Sequence, residues 1–576
     1  MKRLPPFRSL ARLAILAALA AAFDLTAAGP VLRESDVVFM YEGSRETYEA
    51  YGTTVLAWGG TPNPKSREAA RGIRFFGSVG MVTEFSAYHR RNRDRYEEGL
   101  CRDLEGKPVK VPWLVDHRSD SVPYWWCCTR QPLFRQFLRD RVVETVRAGA
   151  DGLHVDDHLG TAGGLWLGLC FCDRCVEGFG PYLAGSPAAT HLPSATGDFR
   201  EEARRWLAAA PGRKVTGHPL WADWTVYQGR GAAAFMQELR ELAVATAGRP
   251  IPVGANAGLL WPRHLADYQA LDLFTAETDH HARERKFADL PLFAYRIAEG
   301  MGRPYAATAS GADWAYVKEH QLPGLVRGWI ALSYAAGQRL MAPHHQWCHT
   351  PEKGTHWYDG PADRFAPLYR FVRRHPDLFD GFATRADLAV VLPHAAFLRN
   401  PQPWFDLGHR LAAANLSYRL LVAGDALVDH PLPTAELAAA RFVLAPDRTD
   451  LLPDDMRRLN ENTAQARMLD SVDAALAAVT PAVRPVDSDR VRVLVRTKTG
   501  QAVVHVLHWD YDASRDDVVP LRSVRLRCDP AALGVPGART ARWITPDNDP
   551  VEVPLRDGIA ELADVGLWGL LVIGAP

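Results

Sequence analysis

From about residue 50 to residue 346 the chain cycles through a short apolar run, a polar or glycine-rich turn and a longer stretch of helical periodicity. Alternation of this kind predicts parallel strands joined by crossover helices. Eight runs read as strands: 54–58 (TVLAW), 73–82, 111–115 (VPWLV), 152–156 (GLHVD), 251–256 (IPVGAN), 273–277 (LFTAE), 305–309 (YAATA) and 339–343 (RLMAP). Eight parallel strands close a (β/α)8 TIM barrel, predicted over 30–380. Before the fourth run, Phe134, Phe137, Leu138, Val142, Val143 and Val146 recur at helical spacing, and Gly149-Ala150-Asp151-Gly152 ends that helix and turns the chain into the strand. After residue 380 the texture changes. An apolar run at 387–392, a helical stretch at 407–414 and a further run at 440–445 predict a smaller open α/β domain over 381–486. The remainder, 487–576, is a series of short strand-like runs separated by turn residues, which predicts a β-sandwich.

The first residues stand outside this scheme. Lys2, Arg3, Arg8 and Arg12 precede an apolar stretch at 13–23, and Ala27, Ala28 and Gly29 follow. That is the form of a secretory signal over 1–29 and predicts a secreted or periplasmic protein. The stretch is short for a membrane span, and no later segment reaches spanning length. Lys+Arg and Asp+Glu are equal at 67 each, which argues against a nucleic-acid partner and against a charged membrane surface. Of eight cysteines, Cys170, Cys172 and Cys175 fall within six residues. That spacing suits one tetrahedral metal ion; disulfides are the alternative in an oxidising compartment.

Barrel enzymes carry their working groups at the C-terminal ends of the strands. Those ends hold Trp58, Glu84, Asp156-Asp157-His158, Asn256, Glu277 with Asp279-His280-His281, and His344-His345-Gln346-Trp347. Asp156 and Asp157 end a strand in which His154 and Asp156 share one face. Glu277 ends an apolar strand, where a carboxylate needs a reason or an arginine partner such as Arg263 or Arg283. Two carboxyl groups across a barrel mouth are what cleavage of a glycosidic bond requires: one donates a proton to the leaving oxygen, the other attacks the sugar or activates water. The expected substrate is therefore a carbohydrate, with Asp157, Glu277 and Asp156 as candidate catalytic groups. Trp58, His154, Asn256, His345 and Trp347 are candidate sugar contacts, since sugar faces stack on aromatic rings. The two adjacent histidine pairs are poor metal clamps, because neighbouring residues on a strand point apart. No cofactor is expected for catalysis.

The run Asp156-Asp157-His158-Leu159-Gly160, followed by Cys170-x-Cys172-x-x-Cys175, resembles the glycoside hydrolase family 42 β-galactosidases. The resemblance implies a three-domain layout of barrel, flavodoxin-like domain and small β-domain, with the middle domain building a homotrimer. It also implies a structural zinc held by the three clustered thiols and one upstream, Cys127 or Cys128, with Cys127 taken as the fourth ligand. Two departures stand out. The position of the family's acid/base glutamate is Asp157 here, one methylene shorter. The seventh strand, where the family keeps its nucleophile, holds no carboxylate, and the nearest acid is Asp313. Glu277 is then the candidate second carboxyl, and a non-catalytic carbohydrate-binding protein on the same barrel is the alternative.

Overall fold

The computed structural model describes residues 30–184 and 197–574. The signal-like segment and the Ala/Pro-rich stretch at 185–195 lie outside the described residues. Eight parallel strands run in chain order: β1 (Val38–Phe39), β2 (Val55–Gly59), β3 (Arg74–Gly80), β4 (Gly152–Asp156), β5 (Val253–Ala255), β6 (Leu273–Thr278), β7 (Tyr305–Ala309) and β8 (Arg339–Leu340). The ring closes where Phe39 bridges Ala342 in parallel and the Ala342 amide donates to the Val38 carbonyl at 2.7 Å. This is a nearly closed TIM barrel.

Two sequence expectations are corrected here. The run at 111–115 is not a strand: Pro112, which cannot donate to a sheet, opens a 3-10 turn (Pro112–Leu114) in the loop between β3 and β4. The missing strand is β1, only two paired residues long, which lies upstream of the region where the alternation becomes regular.

Inside the barrel the period-2 rule sets the layers. Val55, Ala57, Phe76, Leu273, Ala306 and Met341 form an apolar floor. Gly152 is needed there, because a Cβ would stand 2.5 Å from the Phe76 ring. Two residues further along β4 and β6 come His154 and Thr275, and two further still Asp156 and Glu277, so the acids crown an otherwise apolar cylinder at its C-terminal end. The helix Pro132–Arg147 before β4 buries Phe134, Phe137, Leu138, Val142 and Val146 against the outside of the barrel. After β8 an antiparallel hairpin, β9 (His345–Thr350) and β10 (Gly354–Asp359), rises over the mouth.

Two further sheets follow. A four-stranded parallel sheet places Leu388–Pro393 between Tyr418–Ala423 and Phe442–Leu444, with Arg467–Leu469 at the edge. That is the strand order of a flavodoxin-like sheet. The C-terminal part pairs a six-stranded antiparallel sheet with a three-stranded one, and their facing residues form one core. Among the described residues no helix is long and apolar enough to cross a membrane.

Candidate active site

Strand alternation aims Asp156 into the mouth, and the next residue breaks the strand. Asp157 adopts a left-handed backbone (φ 50°), which Asp tolerates better than most residues. The Gly160 amide then donates to the Asp157 carbonyl at 2.7 Å and fixes the turn. The two neighbouring acids are held differently. Asp156 accepts hydrogen bonds from Asn256 Nδ2 (3.1 Å), Thr83 Oγ1 (3.2 Å) and the Asp157 amide (3.0 Å). The Oδ2 of Asp157 is buried and has no protein partner. Asn256 also accepts, through Oδ1, the backbone N–H of Glu277 at 3.3 Å. It therefore ties the ends of β4 and β6 together, acting as a strut between the acids rather than as a free sugar contact.

Asn256 bridges the Asp156 carboxylate and the Glu277 amide, so the acids at the ends of β4 and β6 are neighbours whose charges act on one another. Burial, with the charges of Asp156 and Asp279 adding, pushes the Glu277 carboxyl up to about 8. Burial lifts Asp157 well above the usual carboxylate range, and Asp156 and Glu277 reinforce the shift. Asp156 is also raised by burial, but its three donors oppose the rise. Of the three, Asp156 is thus the best stabilised as an anion, and Glu277 holds its proton at neutral pH. Glu277 forms no ion pair among the described residues, so neither Arg263 nor Arg283 explains its place in an apolar strand.

Tyr41, just beyond β1, belongs to the same cluster. Burial first, then the charges of Asp156 and Glu277, hold its phenol well above the usual range. Its ring lies 6.0 Å from that of Trp58 and 5.4 Å, edge-on, from that of Trp357. Sequence reasoning missed Tyr41 because it missed β1. Thr83 follows β3 by three positions and so lies at the mouth, but its residue type carries no signal that marks it in the sequence.

The other expected contacts separate. His154 is fully buried, with its Nδ1 2.7 Å from Thr275 Oγ1 and its ring 4.1 Å beneath that of Trp58. It supports the floor and cannot touch a sugar, which corrects that expectation. Trp58 is 9% exposed and caps His154 as part of that floor. Trp347 leans on Gly311, where a Cβ would stand 2.6 Å from its ring. His345 lies at the rim, its Nδ1 2.6 Å from Asp359 Oδ1 and its ring stacked on Trp357 at 4.4 Å. Glu84 is engaged by Arg141 at 2.6 Å and faces away from this chemistry. Asp313, the acid nearest the seventh strand, accepts from the amides of His280 and Ala282, both at 2.8 Å, and staples the loop after β6.

The thiol cluster needs a second correction. The fourth sulfur beside Cys170, Cys172 and Cys175 belongs to Cys128, all four lying within 4.8 Å of one another and buried. Cys127 faces the opposite way, into the core with Phe134 and Tyr88. Adjacent residues of an extended loop point to opposite sides, and the sequence alone does not tell which side the cluster occupies. The Sγ atoms of Cys128 stand 3.7 Å from both Cys172 and Cys175. The edge of a tetrahedron with metal–sulfur bonds of about 2.3 Å is about 3.8 Å, whereas a disulfide would need about 2.0 Å. The donor set and its spacing fit zinc. The cluster is wired to the acid-bearing loop: the Thr161 hydroxyl lies 3.5 Å from Cys128 Sγ, and Trp126 donates to the Gly160 carbonyl at 3.1 Å.

No family model matches the chain. Among curated proteins it is 23% identical, over 440 residues, to an alpha-agarase of Thalassotalea agarivorans; the match covers 68% of this chain but only 29% of that relative. The chain thus spans about a third of the length of the curated relative it matches. Among solved structures, a β-galactosidase from Bacillus circulans sp. alkalophilus superposes with a TM-score of 0.63 at 12% identity, covering 94% of this chain and all (100%) of the other. An α-L-fucosidase from Paenibacillus thiaminolyticus gives 0.60 at 13% identity, covering 95% and 100%. At such identities the superpositions establish the fold and not the substrate, as two neighbours named for different sugars illustrate.

Proposed function

We propose that this chain is an exported glycoside hydrolase that cleaves O-glycosidic bonds of a poly- or oligosaccharide, with agarose the first substrate to try. The observation that supports it best is the convergence of Asp156, Asp157 and Glu277 at the barrel mouth in unlike environments. Glycoside cleavage needs one carboxyl that arrives protonated and one negative partner. Glu277, whose carboxyl is pushed up to about 8, serves as the proton donor to the leaving oxygen. Of the β4 pair, Asp156 is the better suited to serve as the negative partner, because its three donors oppose the rise that burial imposes, and Asp157 presents its unpartnered Oδ2 beside it. The likeness to an alpha-agarase and to two solved glycosidases is consistent with this chemistry. Export rests on the signal-like first 29 residues. Zinc held by Cys128, Cys170, Cys172 and Cys175 would have a structural part, fixing the loop that carries Asp157.

Release of reducing ends from agarose, xylan, mixed-linkage β-glucan and galactomannan tests the reading. The wild-type protein should release ends from at least one of these. Asp157→Asn and Glu277→Gln should each lose activity by about 10²-fold or more, the usual worth of a positioned acid or base. No release from any of the four polymers, or variants as active as wild type, overturns the proposal.

A further inference from the structure

The chain has 17 tryptophans, and among the described residues only three are exposed: Trp166 at 60%, Trp261 at 63% and Trp357 at 38%. An exposed indole forgoes the burial that large aromatic side chains ordinarily gain, so its position calls for a reason. None of the three lies on the C-terminal sheets, and Trp166 sits in the 3-10 helix Gly160–Leu167 that directly follows β4. Trp166 follows β4, Trp261 follows β5 and Trp357 lies on the hairpin after β8, so all three stand at the end of the barrel that carries the acids.

Two of them stand beside the ends of strands that belong to the acid-bearing mouth. Trp261 lies close to the backbone of Glu277: a Cβ built on Gly258 would stand 3.3 Å from the Trp261 ring and 3.2 Å from the Glu277 backbone carbonyl. Trp357 flanks Tyr41 of the β1 end, at 5.4 Å between rings. In an eight-strand ring β1 and β5 are diametrically opposed, so Trp261 and Trp357 stand on opposite sides of the mouth. Each is also held in place. One face of Trp357 is covered by the His345 ring, 8° from parallel, and His345 is held by Asp359. Lys318 fixes the Trp357 carbonyl at 2.7 Å. The residue after Trp261 is Pro262, whose carbonyl accepts a 2.9 Å hydrogen bond from His394 in the α/β domain, and His394 is itself held by Asp425 at 2.8 Å.

A rigid, solvent-facing aromatic ring on either side of an acid-lined mouth is a pair of sugar-stacking platforms. We infer that Trp261 and Trp357 bind sugar residues on the two sides of the bond being cut, so that the substrate is a polysaccharide chain lying across the mouth and cleaved internally. This rests on the hydrolase reading for the cut itself, but the platforms bind whether or not the cut occurs.

Electrophoresis of the full chain through native gels cast with each of the four polymers measures binding without turnover. Wild type and Asp157→Asn should be retarded on at least one polymer. Trp261→Ala and Trp357→Ala should each weaken retardation on that polymer about fivefold or more, while Trp543→Ala, in the C-terminal sheet (Thr540–Ile544), should be retarded like wild type. Early products sized on that polymer should be long fragments rather than single sugars. Lack of retardation of the wild type on all four, retardation unchanged in both variants, or early products that are single sugars overturns the inference. Retardation lost in the tryptophan variants, with no reducing ends from wild type, sustains the platforms and removes the hydrolase reading, so the two failures are distinguishable.

Discussion

Glu277 carries a double signature that pH should reveal. Its carboxyl is pushed up to about 8 in the fold against an ordinary value of 4.5. Between those two pH values the folded chain holds a proton that the unfolded chain has lost. By linkage, this group's contribution to stability is greatest below pH 4.5 and declines as pH rises towards 8. Glu277→Gln should therefore melt higher than wild type at pH 9, with a smaller difference at pH 5, as followed by calorimetry. Activity should fall on the alkaline side as the same proton leaves, with a midpoint near 8 in the pH profile of kcat. A wild-type profile that stays flat up to pH 10, with equal melting of the two proteins at pH 9, would remove Glu277 as the proton donor. The opposing case is Asp156, where three donors work against the same desolvation; adjacent acids in one strand end acquire unlike roles from their hydrogen bonds alone.

The loop that bears these acids is shaped by elements the sequence disclosed unevenly. Strands β4 and β6 were legible because alternation in GLHVD and LFTAE leaves a charged residue on the inward face of an apolar strand, and the fold puts both where that pattern says. Strand β1 was not, since two paired residues carry no period. With it went Tyr41, which joins the acids only through the closing of the ring. The run at 111–115 imitates a strand in hydropathy and differs only in Pro112. The thiols show another limit: their spacing disclosed a thiol cluster, but the choice between Cys127 and Cys128 as its fourth member is made by which side of an extended loop faces the core. If the cluster holds zinc, the purified chain should contain about one zinc per molecule by atomic emission, and Cys172→Ser should contain none. Stripping the metal should lower both the melting temperature and the turnover number, because the Thr161 and Trp126 contacts link the cluster to the turn after Asp157. A chain that purifies without zinc, and whose melting a chelator leaves unmoved, would contradict this.

The three parts of the molecule meet at Asp289. This residue precedes the barrel helix Leu290–Gly300 and is buried, yet it pairs with His409 of the α/β domain at 3.1 Å and with Arg492 of the C-terminal sheet at 3.1 Å. Arg496 adds a second seam, donating to the Ala336 carbonyl of the barrel at 3.0 Å and to that of Phe382. Removing one partner of a buried pair leaves the other charge stranded and costs about 3–5 kcal/mol. Asp289→Ala should accordingly melt well below wild type, and its calorimetric trace should separate into more than one transition as the parts uncouple. A single transition at the wild-type temperature would show that the junction is dispensable. The link from His394 to Pro262 extends the same dependence to the mouth itself. Trimming the chain to its first 380 residues would leave that carbonyl bare and release the wall on which Trp261 stands. If the chain binds polysaccharide as inferred, a version cut at the barrel boundary would lose its grip on long chains, and engineering should carry the neighbouring α/β layer along with the cylinder, since one apolar core runs through both.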